Sequence, residues 1–401
     1  MINADNIKKN LEELSFPRLS GTNDEKKAFI LLKGKIEELN INPTIQNFTF
    51  STFYSRIYPK IAFSLGFWLL LILFLNPNRI FIQVNVLVIS IIFILLFIIT
   101  KKPEKIKVGK ILHSKNLLVE FSLKPLNVNS ESEVKQQNSN NNLKNILLFS
   151  HVDSKGQRLP IKIRIFSFKL WLLSYPLGIL IIIFKYTSIG QLYLWIYICG
   201  VIVLFFNFLA TILIVINTTN NNSPGAIDNA SGAVCVLELL KFYANPVNRL
   251  RNFNLWFVFT GAEECGTMGI RHFCNKINNI NKKQSYIINI DSIGKDAEYF
   301  SSSINSNNNI ELWEIFNKIA KKLNFRFHHT NVSFGVRSDG LYLKSQGFQG
   351  FGFADINAYK YVHSIKDTAD NVDAHLLKEL CIYITKILQE IDNRNYLLNT
   401  S

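Results

Sequence analysis

Two adjacent carboxylates, Glu263 and Glu264, follow the apolar run NLWFVFTG and are hemmed in by Ala262, Cys265 and Gly266. Like charges at that spacing repel each other unless something positive lies between or beside them. A metal ion held by one of the pair resolves the conflict and leaves its neighbour to take a proton from bound water. Other apolar runs end in similar chemistry. NILLFS leads into His151-Val152-Asp153, where the second carboxylate is placed to orient the imidazole. SYIINI leads into Asp291, and Asp228 in GAIDNASG stands just before a helical pattern, where helix capping competes with ligation. His363 comes late, in YVHSIKDT. Two histidines, three carboxylates in ligand-like positions and one spare glutamate make an N/O donor set without cysteine. Such a set suits two zinc ions that share a bridging carboxylate and keep positions open for water and substrate.

Residues of this kind need a rigid sheet edge to hold them. NLLVEFSL, NILLFS, NLWFVFTG, SYIINI and FQGFGF read as strands. Between and after them, AVCVLELLKFY, IELWEIFNKIAKKL and the stretch from Ala374 to about Arg394 read as helices. That alternation predicts an α/β fold, a mixed and mostly parallel sheet sandwiched by helices, with ligand groups in the loops beyond the strand ends. The N-terminal stretch reads as a helix, a turn at Ser20-Gly21-Thr22, a second helix from Asp24 to Leu39 and the strand PTIQNFTF.

Four apolar runs do not fit that sheet: Ile61 to Leu75, Ile80 to Thr100, Leu170 to Phe184 and Gly190 to Ile216. They form two pairs, each joined by a short polar break, and are nearly free of charge over membrane-spanning lengths. They explain why a chain of 401 residues is 48% hydrophobic and only 18% charged, with a mean hydropathy of +0.15. The net charge of +15 gathers around these runs, which favours a membrane surface over nucleic acid. Each hairpin returns the chain to the side it left, and the basic flanks put that side in the cytoplasm. Five cysteines without paired spacing read as free thiols. Residues 127–142 form a low-complexity Ser/Asn/Gln-rich linker.

Six motifs, taken in order, resemble the zinc exopeptidase family that includes aminopeptidase Y, bacterial leucyl aminopeptidases, glutamate carboxypeptidase II and glutaminyl cyclase. They are FSHVDS, GAIDNASG, GAEECG, NIDSIG, RSDG and HSIKDTAD. The resemblance implies one zinc on His151 and Asp291, a second on Glu264 and His363, and Asp228 bridging both. It also implies Glu263 as general base and Asp153 as the residue orienting His151. Ser338, Asp339 and Tyr361 are the expected substrate contacts, with Tyr359 an alternative source of a hydroxyl. RSDG has Gly340 where the family often has histidine, and Val362 stands before His363 where some members carry tyrosine.

The implied domain order has peptidase segments at 1–56, 101–160 and 217–401. Membrane hairpins at 57–100 and 161–216 interrupt them. The expected protein is an integral membrane metallo-aminopeptidase with four transmembrane helices, acting on peptides and residing in a lipid bilayer. Three other functions compete with it. A glutaminyl-cyclase-like acyltransferase uses a single zinc and lacks the HxD histidine, so His151 counts against it. A non-catalytic membrane scaffold would have lost ligands that are all present here. A transporter needs an ionisable path, and the spans carry only Gln83, Asn85 and Gln191 as notable polar groups.

Overall fold

A computed structural model describes residues 1–123, 144–277, 280–295, 300–302, 310–325, 328–329 and 337–400. The linker expected at 127–142 therefore lies outside the described residues. The chain divides into two compact units, one formed by 1–49, 112–156 and 221–401, the other by 50–111 and 157–220.

The first unit is an α/β sandwich. Its strands are β1 (Thr44–Ser51), β2 (Ile111–Phe121), β3 (Lys144–His151), β4 (Phe253–Thr260), β5 (Tyr286–Ile290), β6 (Phe300–Ser302), β7 (His328–His329) and β8 (Gln349–Asp355). They lie in the order β1-β2-β4-β3-β5-β8-β6-β7. The centre, β4-β3-β5-β8, is parallel, while β2 joins β4 antiparallel and β6 joins β8 antiparallel. Alternate residues of β3 feed two cores. Ile146 and Leu148 pack with α7 (Ser231–Ala244) and α11 (Ala374–Thr400); Leu147 and Phe149 pack with α8 (Met268–Lys276) and α10 (Asp339–Ser345). A strand covered on both faces reads as a continuous apolar run, which is why NILLFS shows no alternation. Helices α1 (Ala4–Leu14) and α2 (Asn23–Glu37) complete the first core, and α9 (Ile310–Leu323) joins it through Phe316. In α1 the buried Ile7, Leu11 and Leu14 recur at helical spacing, and the Asn3 side chain caps its start.

The second unit holds α3 (Tyr58–Leu75), α4 (Arg79–Thr100), α5 (Ile161–Thr187) and α6 (Gly190–Ile216), with a five-residue π-turn, Phe53–Ile57, before α3. All four helices are long and apolar enough to cross a bilayer. The runs that are short in sequence, Ile61 to Leu75 and Leu170 to Phe184, extend here through their flanks. The Asn76-Pro77-Asn78 break has a local cause. Asn76 ends α3 in the left-handed conformation, and the Asn78 side chain accepts hydrogen bonds from Ile80 N and Phe81 N to start α4. Gly200 of α6 admits the Phe74 ring of α3, since a Cβ there would come within 2.1 Å of it.

Candidate metal centre

The loops that carry the candidate ligands follow β3, β4, β5 and β8, together with the turn entering α7. His151 is the last residue of β3, and its Nδ1 lies 3.0 Å from the main-chain oxygen of Asp153. That contact fixes the ring and leaves Nε2 facing carboxylates, 3.1 Å from Asp228 Oδ1 and 3.5 Å from Asp291 Oδ1. His363 Nε2 lies 3.2 Å from Asp228 Oδ2 and 2.8 Å from Glu264 Oε1. Asp228 thus offers one oxygen to each of two three-residue groups, His151-Asp228-Asp291 and Asp228-Glu264-His363. Tetrahedral zinc with bonds of about 2.0 Å places neighbouring ligand atoms about 3.3 Å apart, so these separations suit an ion in each group. The donor set fits as well, being imidazole and carboxylate with no thiolate.

Asp228 does not cap α7, whose start has Ala230 at the cap position and no side-chain cap. Its side chain is turned into the cluster by Asn229. That amide donates to Ser150 Oγ (2.9 Å) and Ile290 O (3.0 Å), and accepts from Gly232 N (3.0 Å) and Ser292 N (3.2 Å). One asparagine therefore joins the ends of β3 and β5 to the first turn of α7. Ala262, Ser292 and His363 all have positive φ without being glycine. Backbone conformations of that kind cost about 1–3 kcal/mol each and gather where a site must aim its side chains.

Asp153 has a wider part than the sequence suggests. Its carboxylate is 3.6 Å from the His151 ring, farther than its own carbonyl. The closer partners of that carboxylate are Glu263 N (3.0 Å), Glu264 N (3.1 Å) and Ser20 Oγ (2.5 Å), all donating to it. Asp153 thus holds both the HxD strand end and the Glu263-Glu264 turn. Lys155 Nζ lies 2.5 Å from Glu264 Oε2, the oxygen turned away from His363.

Charge explains the titration of the cluster. Burial alone pushes Glu264 up, but His363 and Lys155 bring it down to about 2. Burial likewise opposes Asp228, and hydrogen bonds with His151 and His363 hold it well below the usual carboxylate range. Glu263 moves the other way, raised well above that range by burial and by the charges of Glu264, Asp339 and Asp291. Adjacent glutamates with opposite shifts are suited to different tasks, the lowered one to holding a cation and the raised one to holding a proton. Burial works against a charged His151, yet its hydrogen bonds with Asp153, Asp228 and Asp291 raise it well above its ordinary value. A divalent cation competes with that proton for the same lone pair.

Two positioning residues escaped the sequence reading. Arg18 is fully buried, and its guanidinium donates to the carbonyls of Val152, Phe16, Pro224 and Gly225, and also to Leu14 O. It ties the HxD loop to the loop carrying Asp228. Asp367, buried in HSIKDTAD, accepts from Ile227 N at 2.6 Å and links the His363 loop to the same segment. No spacing marks either residue, because their partners are main-chain atoms distant in sequence.

The expected substrate contacts are placed differently from the ligands. Ser338 spends its hydroxyl on capping α10, accepting from Leu341 N. Asp339 is buried and accepts from Thr260 Oγ1 at 2.5 Å. Tyr361 is half-buried with the Lys360 ammonium over its ring. Tyr359, by contrast, is subject to the charges of Asp291, Asp228, Asp355 and Glu263.

Residues 211–387 match Peptidase family M28. Aminopeptidase YwaD of Bacillus subtilis (strain 168) is 24% identical over 179 residues, 42% of this chain and 38% of that protein. The chain thus spans well under half the length of that curated relative. Among solved structures, the aminopeptidase from Aneurinibacillus sp. strain AM-1 is similar with a TM-score of 0.56 and 14% identity, covering 96% of this chain and 93% of that one. BSAP, a zinc aminopeptidase from Bacillus subtilis, gives 0.55 and 13%, covering 98% and 95%. LapB from Legionella pneumophila gives 0.53 and 11%, covering 98% and 73%. The fold is that of these zinc exopeptidase structures, and residues 211–387 of the chain resemble Peptidase family M28.

Proposed function

We propose that this chain is a membrane-anchored di-zinc aminopeptidase. The observation that carries the reading is Asp228, which gives one oxygen to His151 and the other to His363. His151 and Asp291 complete one ligand group, and Glu264 and His363 the other. Two zinc ions, when bound, would supply Lewis acidity toward the substrate carbonyl and toward water at neutral pH.

The remaining chemistry belongs to the chain. Glu263, raised in pKa and beside the ligand Glu264, takes a proton from the attacking water and hands it to the leaving amine. Asp153 keeps Glu263 in place through the Glu263 amide. Tyr359 supports the reading as a hydroxyl donor to the substrate carbonyl, a role its burial among carboxylates favours over Tyr361. Ser338 and Asp339 act from beneath the site, through the cap of α10 and the Thr260 contact, and not as direct contacts to peptide.

Anchoring rests on the four apolar helices. Basic residues gather where α3 and α5 begin and α4 ends, so the positive-inside rule assigns those ends to the cytoplasm. Glu263→Gln is the test. Metal content should stay near two zinc per chain while hydrolysis of aminoacyl reporter peptides falls about 10²–10⁴-fold, the range for a lost general base. Full activity in the variant, or zinc content near zero in the parent chain, sinks the mechanism.

A further inference from the structure

The two oxygens of Glu264 have different partners. Oε1 faces His363 Nε2 at 2.8 Å, while Oε2 lies 2.5 Å from the Lys155 ammonium. On charge alone a lysine is out of place here, because it repels the ion that a ligand carboxylate is there to hold. Nor is the pair a loose surface contact. The Lys155 side chain is 15% exposed and that of Glu264 only 6%, and an ion pair so far from water needs good geometry on both sides.

Both partners are held through their main chain. Ser154, the residue before Lys155, accepts from Arg18 N at 2.9 Å, donates to Ser223 O at 3.1 Å and gives its own amide to Arg18 O at 3.0 Å. The Glu264 amide donates to Asp153, and Ala262 and Gly266 bound its turn with positive φ on either side. What the main chain does not fix is the rotation of the Glu264 carboxylate, and Lys155 holds that. Asp291 differs. Its carboxylate accepts from Ser292 Oγ, a neutral donor, at 3.0 Å, and does so on the same Oδ1 that faces His151.

We propose that Lys155 is a positioning residue that restricts Glu264 to ligation through one oxygen and draws electron density away from it. The inference rests on the di-zinc reading above. A glutamate free to turn can give an ion both oxygens and fill its coordination. One whose outer oxygen is tied to an ammonium gives a single oxygen and leaves a place for water or peptide. The same ammonium weakens donation from the ligand, so the chain holds this ion less tightly than it could and keeps it more electron-poor. Lys155 itself takes part in no covalent or proton-transfer step.

Lys155→Met removes the charge and keeps an unbranched stem, and Lys155→Arg keeps the charge; both are made in the full chain. In cobalt(II)-substituted protein visible absorption weakens as coordination number rises. The Lys155→Met spectrum should therefore weaken, and the Lys155→Arg spectrum should stay near that of the parent. By competition with a chelating dye, the weaker of the two zinc affinities should tighten about tenfold in Lys155→Met, while kcat on aminoacyl reporter peptides falls about 10–100-fold with KM little changed, the range for an outer partner of a ligand. Tighter metal with slower hydrolysis is a combination that lost packing does not produce. A parental cobalt spectrum in Lys155→Met, or weaker zinc binding, overturns the proposal. So does a rise in KM confined to peptides with a free C-terminal carboxylate, which would make Lys155 a substrate contact. Should Lys155→Met not fold, Lys155→Gln, whose neutral amide still donates, decides on the same two metal readouts and should shift in the same direction by less. A parent chain without zinc removes the di-zinc reading itself. Two zinc ions in the parent with no change in Lys155→Met remove only this inference.

Discussion

Asn229 and Asn207 are both fully buried asparagines, one beneath the metal ligands and one between apolar helices. Asn229 has four hydrogen bonds, all to the ends of strands and the turn they feed. Asn207 donates to Ser174 Oγ at 2.9 Å, while its Oδ1 has no partner. The contrast extends to the units around them. In the α/β unit apolar side chains fill the interior, and buried carboxylates such as Asp228 and Asp153 gather at the strand ends. In the helical unit the large apolar side chains face outward, with Leu87 at 62% exposure and Phe97 at 70%. Its interior includes Ser174, Asn207 and Thr211. Water rewards buried apolar surface, and an outward-facing apolar surface fits the membrane anchoring proposed above.

The largest expected effect lies in the α/β unit. Asn229→Leu strands Ile290 O, Ser292 N and Gly232 N in the core, costing about 3–5 kcal/mol, and it frees Asp228 to leave the cluster. Zinc content and unfolding midpoint should fall together; a variant that keeps both would separate Asn229 from the site. Next comes Leu87→Arg on the outward face of α4. In lipid it should cost about 3 kcal/mol and lower the fraction of chain extracted with membranes, whereas on a water-facing surface it would change stability by less than about 0.5 kcal/mol. An unchanged membrane fraction counts against the span. Asn207→Leu, the counterpart of the first variant, should cost only about 0.6–2 kcal/mol in bilayer-reconstituted protein, because one hydrogen bond is lost. A loss as large as that of Asn229→Leu would erase the comparison.

The last effect is a pH slope, spread over several pH units. Glu25 is buried, and burial together with the Asp153 charge pushes it up to about 8 from an ordinary 4.5. A raised folded-state pKa means the folded chain holds this proton more tightly than the unfolded one. Stability from this group is therefore complete below 4.5 and is lost as pH rises through about 8. The slope is about 1.4 kcal/mol per pH unit between those limits. Glu25→Gln should flatten that part of the stability profile, as read by thermal midpoints across the range. An unaltered slope would assign the proton elsewhere.

Much of the candidate metal centre was legible because strand ends carry their chemistry in adjacent letters. His151, Asp228, Glu264, Asp291 and His363 were each found beside an apolar run or a helix start, and the structure brings all five together. Asp153 was found for one role and has a second, since its carboxylate holds the Glu263-Glu264 turn. Arg18 and Asp367 were not found as positioning residues, because a side chain that binds distant carbonyls or amides leaves no periodicity behind. The breaks between helices were visible as polar residues, although the division of Asn76 and Asn78 into a C-cap and an N-cap needed backbone angles.

The sequence by itself determined the class of chemistry, the alternation of strands and helices, and the existence of four membrane-length apolar segments. Each is a local property, set by residue type and short-range spacing. Only the tertiary structure decided that the two oxygens of Asp228 face different histidines, and that adjacent glutamates have opposite proton affinities. Those outcomes depend on distance, burial and neighbouring charge, quantities that exist only after segments far apart in the chain have met. The net charge of +15 changed meaning in the same way, because most of it lies in the helical segments and little in the α/β ones.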